Sequence, residues 1–440
     1  GALFLVTVWG AIVLARAIGA GSYSAYAAGI CVGTTPLFAV SAYSGMEVML
    51  CATLLVLGLT SLVQTNWGRA GLYLGLACTA RPEAALPLCF AALFVLARLY
   101  GQRGLGVDRM ARVLPPLLAF AAAPALLGAS AIGYYLWASG RALPATYYVK
   151  QSMSLSELPE RLWIAVGEML VLVTPFTAGL AWVGLFGLLL PLVGRKSATA
   201  ESSRSIAIPL LPLAAGALFI LANVLLIKPT DPQAFYHQRY ILPAVPLLVV
   251  SLVHGFERLG FGRNPWLRRL PLWGFVVFCL LLGLASLART SRDHHSDTRN
   301  INELQRGLGL WLANHTSSDA WVASNDAGAV RYFSGRPVVD IMGLNTPELL
   351  WNAPDYARSH PVEAAVFMPA WFSATSAEGF RTLARVTTTP YTVTSYPRMA
   401  TQVVLGCPGA GAAVPLRLVG AADVTLYCKP GAGGASEAAR

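Results

Sequence analysis

The chain has 440 residues, of which 55% are hydrophobic and only 12% charged. Soluble domains carry about 25% charged residues, so this is the composition of a membrane protein and not of a soluble enzyme. The net charge of +11 is unevenly placed: 20 of the 32 basic residues but only 9 of the 21 acidic ones precede Thr290.

Apolar runs at 2–17, 24–42, 46–64, 69–80, 84–99, 114–136, 164–193, 206–227, 240–255 and 271–288 predict about ten spans. A crossing helix needs about 20 residues, which leaves 69–80 short. The chain opens at Gly1, without Met and already inside the first run. We therefore expect its natural start to lie upstream.

Three loops hold most of the early positive charge. They carry Arg98, Arg103, Arg109 and Arg112; then Arg195, Lys196 and Arg204; then Arg258, Arg263, Arg268 and Arg269. By the positive-inside rule these loops are cytoplasmic. The loops 137–163 and 228–239 then face outward, as does everything after Ala288. No basic run is interleaved with exposed aromatics, which excludes a nucleic-acid partner.

From about residue 290 the composition becomes that of an α/β domain. "AWVAS", "PVVDIMG", "AAVFM", "TQVVLG" and "VTLYC" are short β-branched runs bounded by turn residues. "NINELQRGLGLWLANH" places Ile301, Leu304, Leu308 and Leu312 at helical spacing. The reading is thus a polytopic α-helical membrane protein (1–289), an extracytoplasmic α/β domain (290–428) and a disordered tail (429–440). Cys31, Cys51, Cys78, Cys89 and Cys279 fall inside spans and read as packing residues. Cys407 and Cys428 lie near two predicted strands in the outer domain, where an oxidising compartment permits a disulfide; two buried thiols are the alternative.

Four polar clusters fall on the outer side of this topology: "SGME" at 44–47, "RPE" at 81–83, "LPATYYVK" at 143–150 and "KPTDPQAFYHQRY" at 228–240. Each has a plain structural reading. Glu47 can cap its own helix. Arg81 and Glu83 can pair with each other or with other helices, and Lys150 can be a solvated loop residue. Tyr236, His237 and Arg239 can form an interfacial belt. Together they describe a charged cavity open to one face. Arginine and lysine bind phosphate oxygens, aromatic faces stack on sugars, and carboxylates accept hydroxyl hydrogens. That chemistry is glycosyl transfer from a lipid phosphate.

The ordered series "SGMEVML", "ARPEAALPL", "ALPATYYVK", "YHQRYILPAVPLL" and "SNDAGAVRYFSGRPVVDIMGL" resembles bacterial GT-C glycosyltransferases. The group is the dolichyl-phosphate-mannose–protein mannosyltransferase-like one, and actinobacterial arabinofuranosyltransferase-type enzymes are the nearest. The resemblance implies an active site on the outer face of the plasma membrane, a polyprenyl-phosphate sugar donor and inverting single displacement. The acceptor would be an envelope glycan, lipid or protein. It also implies an Asp base in a first outer loop, which this chain would lack if it begins after that loop; no residue here is assigned as the base. Ala145 departs from the Asn that relatives often carry.

On this resemblance Arg239, His237 and Tyr240 would bind the donor phosphate, with Lys150 as a second contact and Tyr147 on sugar or lipid. Glu47 and Glu83 would order the sugar or position the base loop, Arg81 holding Glu83. Asn325, Asp326 and Asp340 would bind acceptor glycan, with turn and capping roles as the alternative. His294, His295 and Asp297 read as a solvated juxtamembrane segment rather than metal ligands; no metal is assigned, and divalent-metal dependence is left open. No nucleotide-sugar or Walker motif occurs. Two other classes fit the composition. A flippase for lipid-linked glycans needs charges at mid-membrane, where Glu168 is one of few candidates; a non-catalytic envelope scaffold needs only a glycan-binding outer domain.

Overall fold

The computed structural model describes residues 1–43, 47–100, 108–144, 147–148, 155–163, 200–226, 239–259, 265–351, 353–368, 381–387, 401–407, 411–416 and 424–429. The chain divides into two compact units. The first comprises Gly1–Tyr134 and Ser152–Thr290, the second Tyr135–Gln151 and Ser291–Arg440. Tyr135–Gln151 thus groups with the C-terminal residues.

In the first unit the helices are α1 (Ala2–Ala17), α2 (Ser22–Gly33), α3 (Pro36–Ser41), α4 (Val48–Val63), α5 (Trp67–Ala80), α6 (Ala85–Tyr100), α7 (Asp108–Ser139), α8 (Ala200–Leu226), α9 (Val245–Arg258) and α10 (Pro265–Ile301). The ends of α7 and α10 run into the second unit. Among the described residues, Pro82–Tyr100, Val113–Ser139, Ile208–Leu225 and Arg269–His315 are long and apolar enough to cross a membrane; α1 and α4 are shorter apolar helices. The predicted span 164–193 lies outside the described residues.

The predicted span 24–42 is in fact two helices. The Thr34 hydroxyl donates to the Ile30 carbonyl (2.8 Å) and the Thr35 hydroxyl to that of Cys31 (3.0 Å), while Pro36 brings no N–H to continue the ladder. The unit packs around Leu14, Leu55, Leu59, Leu74, Phe219 and Phe256, all buried. Polar contacts join helices within it. The Thr7 and Thr53 hydroxyls meet at 2.7 Å between α1 and α4, a bond of about 0.6 kcal/mol in membrane helices. At Gly71 and Gly75, α5 approaches α7 so closely that a Cβ would run into the backbone of Phe120 and Pro124.

In the second unit α10 passes through a π-turn, Asn302–Arg306, into α11 (Gly307–His315). Leu304, Leu308 and Leu312 are buried as their spacing predicts, but Ile301 is 50% exposed. The wide turn takes up an extra residue and rotates Ile301 out of the apolar stripe. The remaining elements are β1 (Val322–Ser324), α12 (Ala327–Ser334), β2 (Val338–Asp340), α13 (Glu348–Trp351), α14 (Ala353–Ser359), β3 (Ala364–Phe367), β4 (Arg381–Thr387), β5 (Thr401–Gly406), β6 (Ala413–Leu416) and β7 (Val424–Tyr427).

The main sheet has the order β2-β1-β3-β5-β4. Strands β1, β2 and β3 are parallel, and β5 pairs antiparallel with both β3 and β4. One face packs Val322, Val366 and Val404 on Leu308 and Leu312; the other packs Ala323, Val339 and Leu405 on Leu349 and Ala357. Strands β6 and β7 form a separate antiparallel pair. Cys428, just after β7, is joined by a disulfide to Cys407, just after β5.

The described residues reach Lys429. Lys429 donates to Asp319 Oδ2 (2.9 Å) and Glu363 Oε1 (3.1 Å), so it belongs to the domain and not to a tail.

Candidate functional site

The site in the first unit starts from one proline. Pro82 disfavours helical backbone at the residue before it, and Arg81 is extended (φ −148°, ψ 118°) at the end of α5. Pro82–Ala84 then form a 3-10 turn leading into α6. Arg81 therefore leaves the helix direction and projects into the bundle, where it is 4% exposed.

There its guanidinium joins residues far away in sequence. Nη1 donates to the Arg239 carbonyl at 2.7 Å, and Nε lies 3.3 Å from Glu47 Oε1. Arg239 Nη2 in turn donates to the Tyr240 hydroxyl at 2.9 Å. Both guanidinium carbons stand 4.9 Å from the centroid of the Tyr240 ring, within cation–π range. Tyr240 is buried and Arg239 half-buried.

Two sequence expectations are corrected here. Glu47 is the N-cap residue of α4, but its side chain makes no capping hydrogen bond; it reaches across to Arg81 instead. Arg81 does not hold Glu83: its ionic partner is Glu47. The extended backbone before Pro82 turns neighbours in sequence to different sides. Glu83 is 8% exposed, and its Oε2 has no hydrogen-bond partner. The 3-10 turn carrying Glu83 packs on α8, where Asn223 is fully buried with its Oδ1 also unpartnered. Sequence reasoning missed Asn223. Its one signal was an amide inside the apolar run "FILANVLLI".

Glu47, Arg81 and Arg239 thus sit at one end of the helices. At the other end stand Arg16 beside Ser22, Arg98 over Trp67 and Arg269 over Tyr23. Glu257 there accepts from the Gly21 amide at 3.0 Å. These arginines and the Glu47–Arg81–Arg239 group therefore lie at opposite ends of the helices.

His237 and Lys150 lie outside the described residues. Tyr147 falls in the second unit, its ring edge-on to Tyr148 at 5.5 Å. His294 and His295 are exposed on α10, and among the described residues no three potential metal ligands cluster.

In the second unit Asp340 ends β2 and its oxygens are used locally. Oδ1 accepts from the Met342 amide (3.0 Å), and Oδ2 accepts from the amide and side chain of Asn345 (2.9 Å each). It holds its own loop, the turn role of an aspartate. Asn325 and Asp326 follow β1, with the Asp326 amide donating to Ser324 Oγ at 3.1 Å. The Asp326 carboxyl lies above the ordinary range. Burial is the main cause; a hydrogen bond from Gln305 opposes it, and the charge of Asp340 adds to it.

Comparison with known proteins gives three findings. A family model described as a domain of unknown function, DUF8728, matches residues 298–412, the greater part of the α/β domain. No curated protein matches. A solved structure, ArnT from Cupriavidus metallidurans bound to undecaprenyl phosphate, is similar over 92% of this chain and 82% of its own. The two are 12% identical with a TM-score of 0.49, and no residue or ligand is carried across on that likeness.

Proposed function

We propose that the first unit is a membrane-embedded glycosyltransferase of the GT-C type. It takes a sugar from a polyprenyl-phosphate donor, with inversion, and passes it to an envelope glycan, lipid or protein at the extracytoplasmic face. The observation that carries this reading is the joining of Glu47, Arg81, Arg239 and Tyr240, from three separate polar clusters, at the end opposite the arginine-rich loops.

In this reading Arg239 is the donor-phosphate ligand. Its planar fork suits phosphate oxygens, and Tyr240 fixes its plane. His237 and Lys150 add donors to the same phosphate, and Tyr147 meets sugar or lipid. Arg81 is a positioning residue: with its charge balanced by Glu47, it anchors the backbone that presents Arg239. Glu83 offers an unsatisfied carboxylate oxygen to sugar hydroxyls. No general base is assigned among these residues. Arg81 and Glu83, two of the buried charged residues described, stand at helix ends and not mid-helix, which favours transfer at a surface over carriage across the membrane.

The test is lipid binding by the full chain in nanodiscs, using a short-chain polyprenyl phosphate. Loss of one charge-assisted contact corresponds to roughly tenfold weaker binding or more, so Arg239→Ala is expected to show at least that loss, with Arg239→Lys intermediate. Equal affinity for the wild type and Arg239→Ala would overturn the assignment.

A further inference from the structure

The carboxyl edge of the second unit's sheet carries polar groups that its own fold leaves unsatisfied. The chain passes from β1 to β2 on one side and then to β3 on the other, so the crevice beyond β1 and β3 is a topological switch point. Parallel sheets bind ligands at that place because the loops there diverge.

Asn325 and Asp326 follow β1 at this edge. The π-turn brings Gln305 over them from the start of α11, and its amide hydrogen-bonds Asp326. Strand β5 brings Gln402: Val403 is the register partner of Phe367, the last residue of β3, so Gln402 lies just beyond that strand's end. Alternation puts Gln402 on the same face as Val404, the face covered by α11, and the π-turn packs on β5.

These amides are not ordinary core residues. Gln402 is fully buried and neither its Oε1 nor its Nε2 has a partner; Gln305 is 5% exposed and its Oε1 has none. The half-buried Asn325 leaves its Oδ1 open as well. Unpaired buried polar groups cost free energy, and folded proteins keep few of them without a reason. Three acceptors and one NH2 donor are thus left open on the elements that meet at this end of the sheet.

We infer that this edge is a binding site for a neutral, hydroxyl-rich ligand, a saccharide, held by Gln305, Gln402, Asn325 and Asp326. Sugar hydroxyls both donate and accept, which is what this set lacks. An anion fits poorly: the residue entering α12 is Asp326, where phosphate-binding turns of this topology carry glycine. The half-buried Asn325 and Asp326 form the rim through which a ligand enters. The inference concerns the second unit alone and does not rest on sugar transfer by the first.

Ligand-observed saturation-transfer NMR on the full chain in detergent tests it, with soluble neutral pentose and hexose oligomers as probes and inorganic phosphate as the contrast. We expect saturable binding of at least one oligomer and none of phosphate. Each buried hydrogen bond lost corresponds to about tenfold in affinity, so Gln305→Leu and Gln402→Leu are each expected to weaken binding by about that factor. Because both polar atoms of the Gln402 side chain are unpaired without ligand, Gln402→Leu should melt no lower than the wild type. Asn325→Ala, at the rim, gives the same reading should a core variant not fold. The inference is overturned if no oligomer binds, if phosphate binds in its place, or if binding survives in Asn325→Ala while Gln402→Leu loses stability.

Discussion

Arg81 shows how a single side chain organises the membrane unit. Its ion pair with Glu47 contributes little by itself, because Glu47 is 40% exposed and solvent screens the pair. The buried guanidinium and its hydrogen bond to the Arg239 carbonyl matter more. Hydrogen bonds to charged groups contribute about 1.5–3 kcal/mol, so Arg81→Ala should destabilise the protein by about that much in denaturant titration in detergent. Unchanged stability would contradict the anchoring role. Glu47, Arg81, Arg239 and Tyr240 were each legible in the sequence as polar residues on one predicted face. Their pairing was not. Sequence proximity favoured Arg81 with Glu83, whereas the backbone before Pro82 sends Arg81 to Glu47. Gln305 and Gln402 were invisible for a different reason: an amide in a strand or helix reads as solvent-facing until its neighbours cover it.

At the level of elements, the α/β unit is closed at its C-terminus by covalent and ionic ties around β7. The disulfide joins Cys407 to Cys428, and Lys429 bonds Asp319 and Glu363. The hydrogen bond from Lys429 holds the Asp319 carboxyl below its ordinary range, and the bonds to Asp319 and Glu363 hold Lys429 above its own. Asp319, with a depressed folded value, contributes above the unfolded carboxylate pKa of about 3.9, and that contribution is lost as pH falls through the folded value. Lys429, with a raised folded value, contributes fully below the unfolded pKa of about 10.4, and its share is lost as pH rises through the folded value. The melting difference between wild type and Lys429→Met should therefore be flat between these limits and shrink beyond each. A difference that grows toward acid pH would contradict the pairing. Five strands of this unit were legible as β-branched runs; β4 and β6 were not. Strand β4, "RTLARVT", lies at the sheet edge with mostly exposed or half-buried side chains, so no continuous apolar run marks it.

Across the whole molecule, hydropathy and arginine placement outlined the helical unit and its two ends, because membrane crossing imposes length and charge rules that local sequence obeys. They failed where a helix outlasts its apolar stretch. The run 271–288 belongs to α10, which continues through polar residues to Ile301, since helical hydrogen bonding does not stop where hydropathy does. The central proposal is that the helix end where Glu47, Arg81 and Arg239 meet faces outside the cell, opposite the arginine-rich ends. Labelling of single cysteines with a membrane-impermeant maleimide, in intact cells and with Cys31, Cys51, Cys78, Cys89 and Cys279 replaced, tests it most directly. Tyr43→Cys, beside the site, and Arg239→Cys should both label from outside, and Gln64→Cys, at the far end of α4, only after permeabilisation. Labelling of positions 43 and 239 from opposite sides, or of position 64 together with both, would contradict it.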